Sequence, residues 1–451
     1  MMYYECALLV ISSKRRGENN MKEDLLSILI SEVKPALGCT GPTSVSYTVS
    51  VAKDAVGGKV RNVKLIVDRD TYKNSIAVGI PGISERGVVI AAALGAVCGK
   101  SEAKLEVLKD VTTQDEIDAK ELVDDGKIEL KIDWDIKGVG LYIEALVETD
   151  KGTGRVIVAK THTNVVLVES NGKVLYKSPE DEINDVLDES KDLINKYNVR
   201  DFYDFAMKVP IEKLEFLKEA IDLNKKLSEI GLDENLGKGF GNAYLRLKEG
   251  NNIYMKAKAY TAAASDTRMA GENVSAMSCA SSGNVGITAS IPLYIVAQVQ
   301  GSREELLLRA LSLSFLLTIF IKNQIGRLSA MCACAIGASI GVGAGVIVLS
   351  EGSFEEVEDT IKNIVGSIGG IICDGAKLGC ALKLSNAVGT AIESAYLAMD
   401  GVSIPSGDGL VCGSADETLR MLGRIARYGM VETDKTVCKE IIQREAEAKN
   451  T

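Results

Sequence analysis

From Leu328 to Ser350 the chain carries no charged residue, a run long enough either to cross a bilayer or to form the centre of a large helical core. The run is rich in Ala, Gly, Ser and Cys rather than Leu, Ile and Phe. The apolar stretches beside it, 287–300 and 305–321, are broken by Pro and by charges. Those features favour a buried helix in a helical core over a membrane span. Small side chains also let neighbouring helices approach closely.

The rest of the chain reads as α+β. The spacing predicts an amphipathic helix over 21–34, a turn over 35–42, a helix over 43–55 and a half-buried strand over 62–68. A short strand is expected over 77–80 and helices over 87–98 and 113–124. Residues 127–176 hold five β-rich runs separated by turn residues, which predicts an antiparallel meander. Four segments are expected. Residues 1–20 form a loosely attached extension and 21–178 an α/β domain with antiparallel strands. Residues 179–251 form a charged helical connector and 252–451 a large, mostly helical domain. Residues 1–20 place their apolar stretch before their basic cluster, the reverse of a secretory signal.

The formal net charge is -10, and no basic stripe with interleaved aromatics occurs, so nucleic acid is not an expected partner. Ten cysteines in a chain of 451 residues fit metal, cluster or redox use better than a disulfide framework. The strongest constellation is Cys332-Ala-Cys334 with Cys373-Asp-Gly-Ala-Lys-Leu-Gly-Cys380. Converging thiolates are the protein ligands of iron–sulfur clusters. Three such ligands would leave one iron open to act as a Lewis acid. On spacing alone, burial as small apolar residues remains the other reading.

Cys39, in a Gly/Pro turn before a helix, is either a reactive thiol or a packed turn residue. His162 is the only histidine, so a multi-histidine metal site is excluded. It lies between two strands and reads as a base or as a structural residue. Thr261–Gly271 and Ser281–Gly286 are dense in hydroxyl, amide and Gly groups, with Arg268 adding a positive charge. They suit either carboxylate binding or turn capping.

Taken in order, several motifs carry a family likeness: Pro35-Ala-Leu-Gly-Cys39-Thr-x-Pro42, Lys73-Asn74, Pro81-Gly82, His162-Thr-Asn164, Ala264-Ser-Asp-x-Arg268-Met, Ser282-Gly-Asn284, Asn323-Gln324 with Arg327-Leu-Ser-Ala-x-Cys332, and Cys373-Asp-Gly-Ala before Cys380. The chain resembles the L-cysteine desulfidase family, relatives of the iron–sulfur L-serine dehydratases, over residues 21–442. The resemblance implies a [4Fe-4S] cluster on Cys332, Cys373 and Cys380. It also implies conversion of L-cysteine and water to sulfide, ammonia and pyruvate without pyridoxal phosphate. Cys39 and His162 are the expected catalytic residues. Lys73, Asn74, Ser265, Asp266, Arg268, Ser282, Asn284 and the Gly286 amide form the expected substrate-binding set. Cys334 ranks below Cys332 as a ligand.

Three positions depart from the family pattern: Gly41 where Glu is usual, Val285 where Gln is usual, and Cys279 where Asn is usual. Loss of a carboxylate and an amide from two signature loops bears on substrate choice. The alternatives are an L-serine dehydratase-like lyase on another β-substituted amino acid and a non-catalytic iron–sulfur or redox-sensing protein. The expected setting is the cytoplasm, with an amino-acid substrate, no membrane, and self-association into a homo-oligomer left open.

Overall fold

The structure is a computed structural model, and it describes residues 20–134, 141–179, 193–247, 252–326 and 328–449. Arg327 and the extension before residue 20 lie outside the described residues. The chain is α+β, with a sheet-bearing N-terminal part and a large helical C-terminal part.

Helix α1 (20–32) leads into strand β1 (Val33–Leu37) and helix α2 (Thr40–Val56). Then follow β2 (Val60–Asp68), α3 (Arg69–Ser75), α4 (Val88–Val97), α5 (Thr113–Asp124) and β3 (Ile128–Asp133). Strands β4 (Tyr142–Thr149), β5 (Gly152–Ala159), β6 (Val165–Ser170) and β7 (Lys173–Lys177) complete a six-stranded sheet of order β3-β2-β4-β5-β6-β7. In β4 every second residue from Ile143 is buried, the period of a strand covered on one face. Helices α2 and α4 provide the cover, and Val45, Val49, Ala92 and Leu94 pack in one core with Leu65, Ile143 and Val156.

Strands β4 to β7 form the expected antiparallel meander, but β3 does not join it. It pairs in parallel with β2 at the sheet edge. A parallel neighbour needs a long crossover, which α3, α4 and α5 supply. Alternation reports which face a residue takes and says nothing about strand direction. Residues 77–80 are not a strand; a single bridge, Gly79 to Arg86, is all that forms there. The expected turn over 35–42 is shorter than its Pro and Gly content suggests. Val33–Leu37 pairs antiparallel with β8 (Ser275–Cys279), a strand hidden inside the expected helical domain. Four of the five β8 residues are buried, so no polar alternation marks it.

The helical part contains α6 (Val199–Lys208), α7 (Lys218–Asp233), α8 (Phe240–Arg246), α9 (Ile253–Ala270), α10 (Gly283–Gln300), α11 (Glu304–Ile325), α12 (Ile336–Leu349), α13 (Phe354–Ile368), α14 (Cys380–Met399), α15 (Ala415–Arg424) and α16 (Val431–Lys449). The charged helices α6 and α7 bury Phe202, Phe205 and Leu227 in the main core, as α1 does with Leu25 and Leu29.

Every residue of α12 is buried, which accounts for the uncharged run. Around it pack α10, α11, α13 and α14. A Cβ at Gly343 would stand 2.6 Å from the Thr360 side chain of α13, and one at Gly345 would stand 2.6 Å from Leu293 of α10. Glycine at these points lets both neighbours close onto α12. Each buried Ile or Val on α12 contributes about 1.5–3 kcal/mol. Among the described residues no helix is long and apolar enough to cross a membrane.

Candidate active site

The β1–β8 pair fastens the two parts together, and a cavity of about 90 Å³ lies beside that joint. Its walls bring together Cys39, Asn74, His162, Arg268, Ser282, Asn284, Cys332, Cys373 and Cys380 from positions spread across the chain.

Cys39 caps α2 in an extended conformation, and its carbonyl accepts from Thr43 Oγ1 at 2.8 Å. Its thiol lies 3.9 Å from the Asn74 carbonyl. The preceding Gly38 has φ +65, where L side chains are strained, and its carbonyl accepts from Arg268 Nη2 at 2.8 Å. Thr40 Oγ1 donates to the Ser281 carbonyl at 2.9 Å, tying α2 to the loop before α10. His162 is buried, and its carbonyl accepts from Ser44 Oγ of α2 at 2.7 Å.

Arg268 ends α9 and is only 3% exposed. Its Nη1 donates to Asn284 Oδ1 at 3.1 Å. Its Nε has no hydrogen-bond partner, and among the described residues no carboxylate stands within ion-pair distance of it. A Cβ at Gly283 would overlap the Nε, so the Ser-Gly-Asn sequence makes room for the guanidinium. A buried guanidinium without a counter-ion is costly unless an anion joins it.

The thiols are placed by a small β-bridge. Met331 pairs with Ile372, Cys332 N donates to the Ile371 carbonyl at 2.9 Å, and Cys373 N donates to the Ala330 carbonyl at 2.7 Å. That bridge sets the Cys332 and Cys373 side chains in contact, with Cys334 touching Cys332 as well. Cys380 opens α14, 3.6 Å from the Gly375 carbonyl. Gly375 has φ +89, and a Cβ there would run into the Lys73 carbonyl, so the loop crosses α3 with no room for a side chain. Asp374 is neutralised by Lys377 and Lys383.

The neighbouring Cys334 thiol and burial push the Cys332 thiol up to about 12. Cys373 is held well above the usual thiol range by the neighbouring Cys332 thiol and by burial, and burial raises Cys380. Crowded thiols of this kind ionise only when a metal takes the charge.

Other expected site residues stand off the cavity. Lys73 is buried beside it, but its Nζ is paired with Asp434 of α16 and with Asp70 at 3.0 Å, and it donates to the Ser329 carbonyl. Burial alone would lower the Lys73 pKa, yet Asp70 and the other negative neighbours raise it. Asp266 accepts from Lys238 N and Phe240 N, holding the start of α8. Ser265 is fully buried, with its Oγ unpartnered away from the cavity lining. The Gly286 amide donates to the Ser282 carbonyl, so it is already used within α10. Thr40, Ser281 and Ser329 line the cavity from within motifs already singled out, without having been expected to bind substrate. Lys322 and Lys383 on the wall and Asp434 behind it were not expected at all, and nothing local in the sequence sets those three apart.

The family model of the serine dehydratase alpha chain matches residues 102–439. The chain belongs to that family. It is 39% identical over 420 residues to a UPF0597 protein of Clostridium tetani, covering 93% of this chain and 98% of the relative. It is 40% identical over 429 residues to one of Caldanaerobacter subterraneus, covering 94% and 100%. It is 39% identical over 422 residues to one of Phocaeicola vulgatus, covering 92% and 96%.

Membership in the serine dehydratase alpha chain family points to an iron–sulfur cluster, and the donor set fits one. Among the described residues no three His, Cys, Asp or Glu side chains converge closely enough to chelate a single ion. A cluster makes a different demand, because each thiolate ligates its own iron and the sulfurs stand around a volume rather than a point. Two departures from the desulfidase pattern also line the cavity. A Cβ at Gly41 would stand 2.6 Å from Ser75 Oγ, and that hydroxyl is buried without a partner. Val285 presents an apolar surface.

Proposed function

We propose that this chain is an iron–sulfur-dependent lyase that releases sulfide from L-cysteine without pyridoxal phosphate. One observation carries the reading: a buried, uncompensated guanidinium and a group of crowded thiols share the walls of one small cavity with His162. Cys332, Cys373 and Cys380 would hold a [4Fe-4S] cluster, which supplies a Lewis-acidic iron for the leaving sulfur.

The chain's own residues do the rest. Arg268, fixed by Asn284 and Gly38, receives the substrate carboxylate, and Ser282 and Asn284 set its orientation. His162 or the Cys39 thiolate takes the Cα proton as the carbon–sulfur bond breaks. The enclosing walls exclude water at that moment. Aminoacrylate departs, tautomerises and is hydrolysed to pyruvate and ammonia. Asp266 holds the start of α8 behind the wall, and Gly286 lets α10 close onto β8, where a Cβ would stand 2.0 Å from the Met277 carbonyl. Such an active site works in a reducing compartment, which agrees with the cytoplasm.

The second reading is a lyase for L-serine or another β-substituted amino acid. Gly41 and Val285 favour it, since they put no polar side chain on the cavity wall where the desulfidase pattern has a carboxylate and an amide. Anaerobic reconstitution with iron and sulfide, followed by assay of sulfide and pyruvate, separates the two. Sulfide and pyruvate from L-cysteine support the first reading. Pyruvate from L-serine alone moves the assignment to the second, and failure to assemble any cluster sinks both.

A further inference from the structure

Lys73 has a fully buried side chain, a rare place for an ammonium, and it does not line the substrate cavity. Two carboxylates hold it, Asp434 of α16 and Asp70 at 3.0 Å. Arg69 shares Asp434 at 2.8 Å, so two cations meet two carboxylates. Replacing a buried ion pair by apolar side chains of similar volume is often neutral or stabilising. Anchoring α16 therefore does not by itself call for a lysine. The surroundings supply a reason. Lys73 Nζ donates to the Ser329 carbonyl at 3.4 Å, on the segment that leads into Cys332. A Cβ at Gly375 would stand 2.1 Å from the Lys73 carbonyl and 3.3 Å from its Cγ, so the loop after Cys373 lies on the lysine stem. Lys73 thus meets the chain on both sides of the bridge that joins Met331 to Ile372 and brings Cys332 to Cys373. The Cys332 thiol and burial raise the Cys373 thiol, and the Lys73 charge opposes them. Lys383 also faces these thiols, but it shares Asp374 with Lys377, and at 29% and 32% exposed both are screened by water.

We infer that Lys73 is a positioning residue that serves as the buried counter-charge of the cluster, held beside the Cys332–Cys373 bridge by Asp434 and Asp70. The inference rests on the iron–sulfur reading above. Three thiolates give an oxidised cluster a net negative charge, and burying that charge is costly without a fixed cation nearby. Lys73 supplies the cation, and Asp434 sets how much of it the thiolates feel. The same charge favours the build-up of negative charge as the substrate's sulfur departs. Lys73 therefore acts through the thiolates rather than on the substrate. Adding an electron to the cluster adds negative charge, so a nearby cation makes reduction easier and a nearby carboxylate makes it harder. The two members of the pair should then move the cluster's reduction potential in opposite directions.

The test uses the full chain, reconstituted anaerobically with iron and sulfide, as wild type, Lys73→Met, Asp434→Asn and the double variant. The midpoint of cluster reduction is read by redox titration followed by electron paramagnetic resonance, without substrate. Lys73→Met should shift the midpoint to a more negative value than wild type. Asp434→Asn, which keeps the lysine and frees its charge, should shift it to a less negative value. The double variant should lie below Asp434→Asn. A purely structural pair would move both single variants the same way or leave both at the wild-type midpoint, and either result overturns the inference. If Lys73→Met folds poorly, the double variant removes both charges and takes its place; a midpoint equal to that of Asp434→Asn would show that the Lys73 charge does not reach the cluster. If both lysine variants unfold, Asp434→Asn decides alone, and an unchanged midpoint overturns the inference. Absence of a cluster in wild type would instead defeat the iron–sulfur reading itself.

Discussion

Replacing Arg268 by Gln removes the single buried positive charge on which the substrate-binding account depends. The guanidinium has two protein acceptors, Gly38 O and Asn284 Oδ1, and no carboxylate among the described residues. A charge-assisted bond to a substrate carboxylate is worth about 1.5–3 kcal/mol. At about 1.4 kcal/mol per decade, its loss should lower kcat/KM for L-cysteine by roughly 10- to 150-fold. Stability should change less than an ordinary core substitution would suggest. Unsatisfying Gly38 and Asn284 costs about 1–3 kcal/mol, but removing an uncompensated buried charge offsets part of that. The assay is steady-state sulfide release by the anaerobically reconstituted variant, with bound iron and the unfolding midpoint measured on the same sample. Arg268→Lys keeps the charge without the planar fork and should fall between the two. If Arg268→Gln retained kcat/KM within about twofold of wild type while its unfolding midpoint fell, the guanidinium would be structural and the carboxylate assignment wrong.

Cys373→Ala should abolish cluster absorbance and iron binding, whereas Cys98→Ala, at a thiol remote from the cavity lining, should leave both unchanged. His162→Ala should keep full iron content but lower turnover about 10²- to 10⁴-fold, the usual contribution of a positioned acid or base; equal turnover would pass the proton role to Cys39. Asp434→Ala removes a partner of both the buried Lys73 ammonium, which keeps Asp70 and the Ser329 carbonyl, and Arg69, and should cost about 1.5–3 kcal/mol in urea unfolding. A change under about 1 kcal/mol would mean that α16 is not anchored through this pair.

The thiol group and its neighbours were legible because their chemistry is rare: one histidine, one clustered set of cysteines, and Gly-rich loops around an arginine. Helices with strong periodicity or caps were equally plain, as for α5, which Thr112 and Asp115 close with a capping box. What escaped was long-range. Strand β1 was hidden by Pro35 and Gly38, and β8 by burial on both faces; each exists only because the other is there to pair with it. The parallel placement of β3 follows from a helical crossover that alternation does not encode. Lys73 sits next to Asn74 on a cavity-facing helix, yet its ammonium points to Asp434, 361 residues later in the chain. No local pattern announces that partner.

The most direct measurement of the central claim is the rate of sulfide release from L-cysteine as iron loading is raised stepwise under anaerobic reconstitution. The account predicts no release from the iron-free chain and a rate that rises with iron, levelling near about four irons per chain. Sulfide release by the iron-free chain, or a fully loaded cluster with no release, would contradict it.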